Sequence, residues 1–155
     1  MPDLLRFLKP RYDAVILDLP GAADALETAC LLTAQHLLLV TTNELAALYA
    51  ARRSVEFLER SGVAKSRLRL IVNRYTPRTG LKREDVRTAL DLEAFVVLGN
   101  DYDAVQNAIL EGKPVAKGTP FSRAASSLAT ALCGEASAGP GPRRGAWLSL
   151  LGRKK

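Results

Sequence analysis

Short apolar runs, each closing on polar residues, recur along this chain. They are Val15-Ile16-Leu17 before Asp18, His36 to Thr41, Leu68 to Asn73, and Ala94 to Leu98. Within each run, large apolar residues follow one another instead of alternating with polar ones. That is the pattern of strands covered on both faces, and such strands are usually parallel. The stretches Ala22 to Gln35, Glu44 to Arg60, Lys82 to Leu90, Asp101 to Leu110 and Phe121 to Leu132 contain neither Pro nor Gly and read as helices. Strands alternating with helices build βαβ units, so the sequence predicts an α/β chain with a mostly parallel, Rossmann-like sheet of about four strands between helical layers.

Helix punctuation agrees with this division. Asn43 is placed to cap the long helix and Gly62 to stop it. The helix from Asp101 has acids in its first turn, which complements the macrodipole. Thr119-Pro120 opens the last helix as N-cap and first residue, and Gly134 closes it.

Composition narrows the function. With 155 residues and 48% hydrophobic content, the chain can bury a core of its own. Its two cysteines, Cys30 and Cys133, exclude a disulfide scaffold and a zinc knuckle and fit a reducing cytosol. No apolar run is long enough to span a bilayer. The net charge is +6, of which residues 135–155 carry +4. The remaining charge is too mild to argue for nucleic acid. His36 is the single histidine and has no nucleophile or ligand cluster beside it. Cys30 reads as a small core residue. Arg52-Arg53 read as a solvated helix face.

The run endings are where chemistry is expected. In open α/β sheets, ligands bind at the carboxyl ends of the strands. Asp18 stands at the first such end, where a carboxylate can hold Mg²⁺ through water opposite a nucleotide's phosphates. The same pattern also fits an Asp that caps the Pro-Gly turn beside it. Thr41-Thr42-Asn43, Asn73-Arg74 and Gly99-Asn100-Asp101 end the other three runs, so polar groups form a rim.

Four segments carry a family resemblance: "YDAVILDLPG", "LLLVTTNELAALYAARRSVEFLERSG", "LRLIVNRY" and "VLGNDYDAVQNAILEGKPV". In order and spacing, over residues 10 to 133, they resemble the second half of the MinD/ParA P-loop ATPases, and most closely the CpaE/TadZ pilus-assembly branch. The resemblance implies a P-loop NTPase fold with ATP and Mg²⁺ as cofactors. It makes Asp18 the Walker B-type aspartate and Asn73, with Arg74 beside it, the position facing adenine. Gly99, Asn100 and Asp101 become the loop along the base. Gly99 stands where the family commonly has proline. No segment matches the family's glycine-rich phosphate-binding loop. The expectation is therefore an incomplete fold, a carboxyl-terminal half that does not hydrolyse ATP alone, with one sheet face short of cover. Such a face calls for self-association or a protein partner. The alternatives are a non-enzymatic scaffold docking through that face and a ParA-like DNA-partitioning module, with nucleic acid the less favoured ligand.

Residues 1–134 form the α/β domain, 135–142 a Gly/Pro-rich linker, and 143–155 a basic tail. As a helix, the tail would gather Trp147, Leu148, Leu150 and Leu151 within about 160° of arc. Arginines and lysines bracket them. This suits weak contact with an anionic membrane surface. The alternative is a solvated basic extension. The expected location is the cytoplasm, with the tail at the inner membrane face.

Overall fold

The computed structural model describes residues 2–19 and 25–133. Helix α1 (Pro2–Leu8) is followed by α2 (Ala25–Thr33), β1 (Leu37–Thr41), α3 (Leu45–Arg60) and β2 (Leu68–Tyr75). Helix α4 (Arg83–Leu90), β3 (Ala94–Gly99), α5 (Tyr102–Glu111) and α6 (Pro120–Cys133) complete the described residues. The strands form a parallel sheet in the order β1-β2-β3.

The core follows from two periodicities. On α3, Leu48, Ala51, Val55 and Leu58 recur at three- and four-residue steps and are buried. On β2, Leu70 and Val72 point to one face and meet Leu48, Ala51, Val86 and Leu90 of α3 and α4. Each large apolar side chain removed from water in this layer contributes about 1.5–3 kcal/mol. A second cluster joins Leu37, Val55, Leu58, Val63 and Leu68 at the opposite end of the strands. Below it, Arg67 donates to the carbonyl oxygens of Leu31 (2.8 Å) and Ala34 and so caps the carboxyl end of α2.

The central strand is buried on both faces, with Leu70, Ile71 and Val72 each at 2% exposure or less. The edge strand β1 is not. Leu38 and Val40, which point away from α3, are 42% and 58% exposed, and Phe95 of β3 is also exposed. The open sheet face anticipated in the sequence is present over β1, whereas α6 packs along β3.

Several expectations are corrected. The run Val15–Leu17 forms no strand and pairs with no described residue, and Ile16 is 90% exposed. A strand is defined by a neighbour's N–H and C=O groups, and no described edge meets this run. The described sheet therefore has three strands, not about four. Strand β2 runs two residues past Asn73, to Tyr75, so Asn73 and Arg74 lie inside it. Asn43 does not cap α3. Glu44 holds the N-cap position with extended backbone and no side-chain cap, because the Asn43 side chain is bonded elsewhere. Helix α1 had no counterpart in the sequence reading. Thr119 does cap α6, accepting the Ser122 N–H at 3.1 Å. Gly134, the linker 135–142 and the tail residues Trp147, Leu148, Leu150 and Leu151 lie outside the described residues.

Candidate functional site

The carboxyl ends of β2 and β3 build a cavity of about 310 Å³. Its shape starts with an irregularity in strand pairing. Val72 faces Val97 and Tyr75 faces Gly99, so two residues of β2, Asn73 and Arg74, oppose one of β3. That count defines a β-bulge. Arg74 takes the left-handed conformation, φ 51°, where a glycine would usually sit. The Asn73 side chain steadies the turn, its Oδ1 accepting the Arg74 N–H at 2.9 Å. With that oxygen engaged, the amide nitrogen of Asn73 is left as the donor for anything in the cavity.

The facing wall comes from β3. Asn100 donates its N–H to the Tyr75 carbonyl at 3.2 Å, which ties the two strand ends together. Asp101 is the N-cap residue of α5. Its carboxylate reaches across to accept the Phe121 N–H of α6 at 3.3 Å. One acid thus ties the start of α5 to the start of α6, satisfying a helix amide that would otherwise lack a partner.

All five residues singled out for a nucleotide base, Asn73, Arg74, Gly99, Asn100 and Asp101, line this one cavity. The sequence reading missed Tyr102, Val105, Gln106 and Phe121, which also line it. The first three had a legible signal, since spacing i, i+3, i+4 places them on one face of α5. Phe121 had none, because it arrives through the Asp101 contact between distant segments. The lining offers amide donors and acceptors, one carboxylate, two aromatic rings and one cation, Arg74. That set suits a planar heteroaromatic group better than a triphosphate, which calls for several N–H donors and positive charges.

Asp18 is not part of this arrangement. It is exposed, on the unpaired segment, and does not line the cavity. Among the described residues, no three His, Cys, Asp or Glu side chains cluster as a metal site. A single exposed carboxylate fits Mg²⁺ only as a partial ligand, with water and phosphate filling the other positions.

The arrangement of parallel strands and crossover helices has counterparts among solved structures. A ParA family ATPase from Chlorobium tepidum superposes with a TM-score of 0.75 at 23% identity, covering 82% of this chain and 54% of that one. The fold is that of the MinD/ParA P-loop ATPases. MinD in the MinC:MinD complex of Aquifex aeolicus gives 0.73 at 23% identity, covering 88% and 57%. MinD of Pyrococcus horikoshii, solved with Mg-ADP, gives 0.70 at 23% identity, covering 84% and 54%. In sequence, the septum site-determining protein MinD of Thermotoga maritima is 29% identical over 110 residues, covering 68% of this chain and 41% of that protein. The chain thus spans about two-fifths of the length of that curated relative. No protein-family model matches it. No described helix is long and apolar enough to cross a membrane.

Proposed function

We propose that this chain carries the base-recognition part of a nucleotide site in a MinD/ParA-type positioning protein of the CpaE/TadZ pilus-assembly kind. The main support is the meeting of Asn73, Arg74 and Gly99 to Asp101 in one cavity at the carboxyl ends of parallel strands. The proposed ligand is ATP with Mg²⁺. Asn73 offers amide hydrogens to acceptor nitrogens of the base, the loop 99–101 lies along the ring, and Asp18 helps hold the metal through water. In this reading the chain does not hydrolyse ATP alone, because the phosphate-cradling loop must come from outside these 155 residues. A protein partner, or a second copy, is part of the proposal. MinD of Aquifex aeolicus works as precedent, having been solved together with MinC. The tail 143–155 is proposed to touch the inner membrane face weakly from the cytoplasmic side.

Equilibrium titration of the full chain with ATP tests this. Binding that weakens when Asn73→Ala is introduced, with no phosphate release, is expected. No binding at millimolar ATP sinks the base site. Steady phosphate release that disappears in Asp18→Ala sinks the claim that hydrolysis needs another segment. A second reading, a non-enzymatic scaffold that docks a partner over β1, draws on the exposure of Leu38, Val40 and Phe95.

A further inference from the structure

Asn43 is 2% exposed and sits at the rim of the sheet, two residues after β1. A buried amide side chain must find partners or lose stability. Asn43 finds them all in the loop that leaves β2. Its Nδ2 donates to the carbonyls of Thr76 and Leu81, each at 3.0 Å, and lies 3.4 Å from that of Thr79. Its Oδ1 accepts the Thr76 N–H at 3.4 Å, and its own carbonyl accepts the Leu81 N–H at 2.8 Å. Gly80 closes the loop with φ 105°, and a Cβ there would stand 2.7 Å from both Nδ2 and the carbonyl oxygen of Asn43. The loop fits around this one side chain with no room to spare.

From Thr76 the chain runs back through Tyr75, the end of β2, to Arg74, which lines the cavity. Thr76 is held by Asn43, the Tyr75 carbonyl before it accepts the Asn100 N–H, and Arg74 before that occupies the left-handed bulge. Asn43 itself does not line the cavity. We infer that Asn43 is a positioning residue of the base site: it pins Thr76, and through Tyr75 it sets the placement of both Arg74 and Asn100. The inference rests on the base-site reading above. A clasp of this kind is distinct from a stability contact in one respect. If ligand binding needs the clasp closed, then the ligand must in turn hold the clasp closed, because coupling is reciprocal.

Two measurements on the full chain decide it, both with ATP as the probe. Asn43→Ala, assayed at a temperature where circular dichroism shows it folded, is expected to bind ATP at least about tenfold more weakly than wild type. Gly80→Ala strikes the same clasp from the loop side and should follow it. In wild type, saturating ATP should slow hydrogen exchange at the Thr76 and Leu81 amides several-fold, a readout that needs no variant to fold. A folded Asn43→Ala with affinity within about twofold of wild type overturns the inference. So do Thr76 and Leu81 amides that exchange at the same rate with and without bound ATP. Failure of wild type to bind ATP at all is a different result and removes the base site itself.

Discussion

Replacing Arg74 with glycine should separate what this residue does for the fold from what it does for the cavity. At φ 51° a side chain costs about 1–2 kcal/mol relative to a right-handed or extended residue. Glycine removes that cost but gives the unfolded chain extra freedom worth about 0.5–1 kcal/mol. Arg74 is exposed and its guanidinium makes no described hydrogen bond or ion pair, so no polar contact is lost. The balance runs from no change to a gain of about 1.5 kcal/mol, the upper end being about 3–6 °C in Tm for a chain this size. Arg74→Val should go the other way by more than about 1 kcal/mol, since a branched Cβ tolerates this conformation worst. Urea unfolding of the three proteins gives the order directly. ATP affinity should fall in Arg74→Gly even as stability holds or rises, because the cavity loses its one cation. An Arg74→Gly protein less stable by more than about 1 kcal/mol would refute the reasoning, for it would show the side chain, not the backbone, anchoring the bulge.

Two further outcomes are expected. The Lys65 ammonium donates a hydrogen bond to the Asp91 carboxylate, and that bond, followed by the ammonium's charge, holds the Asp91 pKa below the ordinary carboxylate range. A depressed carboxylate pKa stabilises above the unfolded value and loses that contribution as pH falls through the folded one; the small deficit of Lys65→Ala in thermal unfolding should thus be present at neutral pH and vanish in strong acid, and a deficit that persists there contradicts the pairing. The tail should bind anionic vesicles weakly and salt-sensitively, with a blue shift of Trp147 emission that Leu150→Glu plus Leu151→Glu abolishes; a Trp147 spectrum unmoved at low salt leaves the tail a solvated extension.

The parts of this fold that depend on nearby residues were legible in the sequence. The breaker-free stretch from Glu44 to Arg60 marked helix α3, and Thr119-Pro120 marked the start of α6, because helix propensity and capping are local. The strand Val15–Leu17 was misread for the opposite reason. Its residues suit a strand, but pairing depends on a neighbour that its own sequence does not specify. Asn43 shows the same limit at the level of one side chain. It has the residue type of an N-cap, yet Thr76, Thr79 and Leu81, more than thirty positions away, compete for its amide and win. The five residues expected around a base were singled out through family resemblance and strand-end logic, and they line one cavity. The aromatic wall supplied by Phe121 could not be found that way, since it depends on how two helices meet.

Strand β1 ends the described sheet with the sequence Leu37-Leu38-Leu39-Val40-Thr41, which has no charge, no proline and, in its register with β2, no bulge. Natural edge strands usually carry one of these guards against pairing with strangers. A newly made chain would present this unguarded strip as soon as β1 and β2 zip together, and each minute spent without a companion invites sheet-to-sheet growth between molecules. Yield in a foreign host should then be governed by how early the strip is covered, so that dilution, slow synthesis or a coexpressed companion rescues soluble material where added core stability does not.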